Sequence, residues 1–303
     1  MKLDFYLNTN HFFENDYITL LRMEELMKYV QSIKKDVLYD SLNDKINISK
    51  IDEKYSVLLS SNPDMDFPRP TEYIRNNFND NTPFEYNKQI MLENMNYIDK
   101  VETNQLQNIP DHIKKIYCHS VGLYHEKVIM VPIGRDFKNE KYFHFVDSFI
   151  KTEKSILCYY NVTIPPPVYH WYGFVRKHIY DIMKFKPFIF CKKCDVHPRK
   201  YSEEDVISYY QDLAKSKFVI CPRGCGIDTY RLWDSIHMGC IPIVEKFEGY
   251  LYYQDLPIFF VDSWIELETM TSEFLENKWN EMKTLDYNYD KLRISYWYNL
   301  FLQ

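Results

Sequence analysis

Glycine is scarce in this chain: seven in 303 residues. That excludes collagen-like and glycine-rich linker architectures, and it gives weight to any place where two glycines fall close together. Long apolar runs are missing too. No stretch approaches the about 18 apolar residues that span a bilayer. The opening MKLDFYLNTNHFF carries no apolar segment of the secretory kind after its lysine. An excess of positive charge is absent: the formal net charge is -6, which argues against a protein that coats nucleic acid. Cysteine is neither dense nor regularly spaced, with seven scattered along the chain. An odd, scattered set excludes a disulfide framework and leads us to expect a cytoplasmic, reducing setting with free thiols. Internal repeats and low-complexity linkers are also lacking.

What is present is a globular balance, 46% hydrophobic and 26% charged, with length enough for two domains. The 27 Tyr and 20 Phe accompany abundant Asn, Lys and Ile, as AT-rich coding gives; a sugar-stacking surface is the sharper alternative.

From about residue 155 a regular pattern begins. Short apolar runs at 155–162, 187–191, 218–222, 241–245 and 258–261 read as strands, separated by helical stretches. Runs that are apolar throughout, rather than alternating, mark strands buried on both faces. Strand–helix alternation of this kind implies a parallel, doubly wound α/β sheet. Ser202 with Asp205 resembles a capping box, and Ser263 with Glu266 is one that should open a long helix. The first half is less regular. Strands are expected at 2–7, 56–61, 115–119 and 127–133, and a helix over 17–34. The expected organisation is an irregular α/β domain over 1–152, the regular doubly wound domain over 153–285, and a tail, 286–303, that packs back on the first. Its Trp297, Leu300 and Phe301 make it too apolar for a free helix.

Three of the seven glycines fall within 224–239. Gly224 and Gly226 directly follow a buried strand, where glycine permits positive φ and close approach of a ligand to the backbone. The helix that follows offers N–H groups and the positive end of its dipole to a diphosphate. Arg223 and Arg231 flank the loop and supply charge-assisted bonds to phosphate oxygens. Asp228 or Thr229 is the expected N-cap. Asp234, at i+3 from Arg231, shares its face and is a ribose acceptor by the logic of other nucleotide folds. A structural turn with a surface Arg231–Asp234 pair is the plainer reading. The third glycine of the dinucleotide fingerprint and the Walker pattern are both missing.

The segment Ser216-Lys217-Phe218, Cys221-Pro222-Arg223-Gly224, Gly226, Asp228-Thr229, Arg231, Trp233 and Gly239-Cys240-Ile241-Pro242 resembles the carboxyl-terminal motif of exostosin-like glycosyltransferases. Asp234 stands where that family usually has Glu. Asn161 closes a strand similar to the family's opening strand, and Val131-Pro132-Ile133-Gly134 resembles a turn of its amino-terminal domain. The stretch 59–64 resembles another, with Ser61 where histidine is usual. The resemblance implies a GT-B fold: two Rossmann-like domains facing across a cleft. It also implies a nucleoside-diphosphate sugar as donor, UDP-sugar favoured, a hydroxyl acceptor, inversion, and no bound metal or other cofactor.

An inverting transfer needs a general base. Asp64, His119 and Asp136 are the candidates, with His125 behind them. Asp64-Met65-Asp66 matches a metal-binding pattern but sits in a proline-rich stretch. Cys191, Cys194 and His197 spell only half of a zinc signature. Lys192 and Lys193, after a buried strand, meet the donor on the alternative reading. Two further functions stay open: a non-catalytic nucleotide- or glycan-binding protein on the same scaffold, and an epimerase or dehydrogenase.

Overall fold

The computed structural model describes residues 18–40, 51–60, 109–122, 124–164, 172–194, 202–224 and 226–303. The expected strand at 2–7, the motif residues Ser61 and Asp64 to Asp66, His197 and Cys225 lie outside them.

The second half forms a five-stranded, wholly parallel sheet: β5 (Ile156–Thr163), β6 (Ile189–Cys194), β7 (Ser216–Ile220), β8 (Ile241–Glu245) and β9 (Phe259–Val261). These are the five strands expected from the apolar runs. Their order is β6-β5-β7-β8-β9. The chain steps to one side of β5 and then returns to the other, so the switch point lies between β5 and β7. In doubly wound sheets ligands bind outside the carboxyl ends of the strands at that point. The helices around this sheet are α2 (Tyr172–Met183), α3 (Glu203–Lys215), α4 (Tyr230–His237) and α5 (Ser272–Met282). A full capping box between Ser202 and Asp205 opens α3. Gly239, at φ +70, ends α4 in the left-handed conformation that glycine takes without penalty.

The capping box at Ser263 forms, but it opens only a 3-10 turn, Trp264–Glu268. Lys186 takes the carbonyls of Glu268 and Met270, at 2.8 and 3.0 Å, and Thr271 caps the separate start of α5. The capping signal was local; where the announced helix stops, the Glu268 carbonyl accepts from a side chain 82 residues away.

The first half carries a second parallel sheet, ordered β1-β2-β3-β4. Its strands are β1 (Val37–Asp40), β2 (Val57–Ser60), β3 (Lys115–Cys118) and β4 (Val128–Met130). The sequence reading missed β1, four residues between a Lys-rich turn and an Asn/Asp-rich stretch. Helix α1 (Leu20–Ile33) buries Met23, Leu26, Met27 and Val30 along one stripe.

One apolar cluster runs through both sheets. It holds Leu58, Ile116 and Val128 of the first with Tyr159, Val219 and Val244 of the second. A further core, with Tyr160, Phe218 and Ile243, covers the other face of the second sheet. Helix α6 (Ile294–Leu302) crosses to the first half. Tyr298 meets Tyr29, Phe301 packs edge-on against Tyr117 at 4.9 Å, and Lys34 donates to the Leu302 carbonyl. Among the described residues no helix is long and apolar enough to cross a membrane.

Candidate functional site

The loop 221–229 leaves β7 at the switch point. Gly224 N–H donates to the Gly226 carbonyl at 3.0 Å, which folds the loop on itself. Gly224 does not hold a positive φ; its need for a bare Cα is spatial. A Cβ there would stand 3.3 Å from Nη2 of Arg176. Arg176, on α2, donates from Nε to the Arg223 carbonyl at 3.0 Å and from Nη1 to the Thr163 carbonyl at 2.9 Å. Its own carbonyl accepts from the Tyr160 hydroxyl at 2.6 Å. One guanidinium therefore ties the end of β5 to the loop after β7. The sequence reading missed Arg176. The signal was its place with Ile179, Tyr180 and Met183 on one stripe of α2, where burial of Ile179 and Met183 marks the core side.

Arg223 is largely buried, with its guanidinium 5.4 Å from the Phe247 ring centre. Burial raises the Glu245 carboxyl, and the charge on Arg223 opposes that rise. Arg231, in the first turn of α4, lies 5.9 Å from the Tyr209 ring centre. Burial holds the phenols of Tyr159 and Tyr160 above their ordinary range; Arg231 pulls both the other way. Asn161 donates to the Tyr159 hydroxyl at 2.6 Å. The structure thus sets the loop of Arg223, Gly224 and Gly226 at the carboxyl end of β7, joined by Arg176 to the end of β5, with Arg223 turned to Phe247 beyond β8 and Arg231 to Tyr209 on α3. Lys193 lies on β6, but its side chain is outside the described residues. Neighbouring Lys192 is taken up by Ser208 and Asp212 on α3.

Two predicted roles, those of Asp234 and His119, do not fit their residues' positions. Asp234 turns inward at 2% exposure. Its Oδ1 accepts from the Tyr210 hydroxyl at 2.9 Å and sits 3.4 Å from Arg135 Nε. Burial pushes this carboxyl up to about 6 against the pull of Arg135. A carboxylate enclosed this way presents no open face to a ribose. Spacing put it beside Arg231, but helix burial, rather than i,i+3 geometry, chose its direction. His119 is 1% exposed; its Nδ1 lies 2.7 Å from the Val131 carbonyl and burial lowers it to about 4. It is a neutral core histidine here. Asp136 caps the 3-10 turn Phe137–Tyr142 by accepting from Lys138 N, and burial raises its carboxyl. Asp64 lies outside the described residues.

Asp228 is the residue whose place the sequence least foretold. Its Oδ1 accepts from Thr229 N at 2.9 Å and Trp233 Nε1 at 2.7 Å; its Oδ2 accepts from Ile133 N at 2.9 Å. Its own N–H donates to Ser120 Oγ, and Ser120 is a non-glycine residue at φ +56. Thr229 is the N-cap of α4, with no side-chain cap bond. The loop after β7 is thereby fastened to the turns after β3 and β4. Burial lifts Asp228 to about 7, against the three donors that favour its charge.

A half-open cavity of about 20 Å³ is lined by Gly134, Arg135, Trp233 and His237. That is room for about one water. Among the described residues no group of three or more metal-ligating side chains converges.

Residues 138–303, more than half of the chain, match the family model described as the RXYLT1 C-terminal domain. The match begins within the turns at 137–151, where Phe143 packs edge-on against Tyr210 of α3, ahead of the boundary expected near 152. Comparison with curated proteins found no match.

Proposed function

The chain belongs to the RXYLT1 C-terminal domain family, an exostosin-related glycosyltransferase domain, and from that premise we propose that it transfers a sugar from a nucleoside diphosphate to an acceptor hydroxyl. The observation that carries this reading is a tightly folded loop bearing Arg223, Gly224 and Gly226, followed by Arg231 in the first turn of α4, at the switch point of a parallel sheet. Such a crevice neutralises a leaving diphosphate with guanidinium forks and backbone N–H groups. We read the two parallel sheets as the paired Rossmann-like domains of a GT-B enzyme, the transfer as inverting and metal-independent, and UDP-sugar as the favoured donor.

Arg231 tests the phosphate assignment. Arg231→Ala should weaken UDP binding by roughly ten- to a hundredfold, the value of a charge-assisted bond. Arg231→Lys keeps the charge, loses the planar fork and should recover part of the loss. Uridine should bind alike to all three proteins. Calorimetric titration distinguishes the outcomes: equal losses for UDP and uridine mean a damaged helix, and no loss for either removes Arg231 from the site. UDP binding should persist in chelator; loss restored by Mg²⁺ or Mn²⁺ overturns metal independence.

The second reading, a binding protein without turnover, draws on the internal engagement of His119 and Asp136. Hydrolysis or transfer of a UDP-sugar by the purified chain decides against it.

A further inference from the structure

We propose that Arg176 is the positioning residue of the donor crevice: its guanidinium sets the gap between the end of β5 and the phosphate loop. The inference rests on the glycosyltransferase reading for its ligand, but its geometry is independent of it. Arg176 reaches across the switch point from a helix that belongs to neither strand. Its Nε and Nη1 bond two carbonyls, Arg223 O and Thr163 O, at 3.0 and 2.9 Å. Two donors in one rigid plane fix the separation and the tilt of those carbonyls together. The Tyr160 hydroxyl, fully buried under the sheet, fixes the Arg176 backbone in turn.

Gly224 supplies a second, separate observation. Its φ lies outside the left-handed region, so backbone conformation does not require glycine here. What requires it is Arg176 itself, at 3.3 Å from the place of a Cβ. Contacts that close are tighter than ordinary packing, and a guanidinium held at two points has little freedom to withdraw. Loop and arginine are therefore fitted to each other. Arg223 and Arg231 reach the crevice from this loop and from the helix after it, so the position of both depends on the bridge.

The experiment titrates UDP and uridine into the full chain and its Arg176→Lys, Arg176→Ala and Gly224→Ala variants, and the Arg176→Ala/Gly224→Ala double variant. Thermal unfolding is measured alongside. Both Arg176 variants should lose about tenfold in UDP affinity, the effect of a misplaced charge-assisted contact. Uridine affinity should stay within about twofold, since the phosphate contacts are what move. Lys and Ala should lose alike, because a point charge cannot bridge two carbonyls in one plane. Gly224→Ala should also weaken UDP, and that cost should vanish when Arg176 is already Ala, as coupled neighbours require. Recovery of affinity by Lys overturns the proposal, since charge alone then suffices. So does additivity of the two substitutions, or an equal loss of uridine. If Arg176→Ala fails to fold, the Lys and Gly224→Ala variants still decide. If the unaltered chain binds no UDP, the donor reading fails, and the bridge is tested by whether Arg176→Ala removes the stability cost of Gly224→Ala.

Discussion

Arg135→Ala should cost about 3–5 kcal/mol of unfolding free energy, the range for breaking a buried pair and leaving one charge behind. Arg135 and Asp234 are both 3% exposed at their side chains. The guanidinium also meets Asp147 at 3.0 Å and lies 3.6 Å from the Phe143 ring centre. Asp147 is partly exposed and shared with His237, so water can replace part of what it loses. Asp234 has no such recourse. Burial already raises its carboxyl to about 6 with Arg135 present; without the arginine it rises further. A carboxyl raised in the folded state contributes stability that is complete below its unfolded value and lost as pH climbs through the folded one. In wild type that loss is finished near pH 6; in the variant it extends higher. The gap between the two proteins should therefore widen between about pH 5 and pH 8. Urea unfolding at several pH values checks both statements. Arg135→Met with Asp234→Leu should regain most of the stability, because the removed charges leave together. A cost below about 1 kcal/mol at neutral pH, the size of an exposed pair, overturns the prediction.

Gly249→Ala should cost about 3 kcal/mol or more, a size reserved for a clash the core cannot absorb. A Cβ at Gly249 would meet the carbonyl carbon and Cβ of Val121 at 2.8 Å, and its carbonyl oxygen closer still. The obstacle is backbone, one residue past Ser120 with its φ of +56, so no side chain can swing aside. Gly239→Ala is the control. It carries the left-handed penalty of about 1–2 kcal/mol, but its nearest neighbour is the end of Lys154 at 3.9 Å. Denaturant melts should rank Gly249→Ala well below Gly239→Ala; the reverse order sinks the claim that the two halves touch through their backbones here.

Much of the second sheet was legible because each strand is a short apolar run bounded by breakers, and burial on both faces writes itself into composition. The loop at Gly224 was legible for the same reason that glycine is rare: two in three residues is an unusual expense of conformational freedom. The directions of side chains were not. Asp234 and Arg231 share a helix face by spacing, yet one meets Tyr210 and Arg135 and the other Tyr209. The partner that Asp234 meets lies 99 positions upstream. Either Asp228 or Thr229 was expected as the local cap; Thr229 holds that position, and Asp228 binds Ile133, 95 positions away. Arg176 was overlooked because a lone arginine in an amphipathic stretch looks like surface until the stripe it interrupts is counted.

The crossing of α6 onto α1 has a consequence for how the chain is made. Lys34 and Tyr117 find their partners at Leu302 and Leu300, 268 and 183 positions later. Contacts this distant in sequence slow folding, since loop closure precedes any reward. During synthesis the first sheet emerges long before Trp297 and Phe301 exist to cover it. Its partly assembled face is the kind of exposed apolar surface that aggregates or is held by chaperones. Completion of the first half is thus timed by the arrival of the last helix.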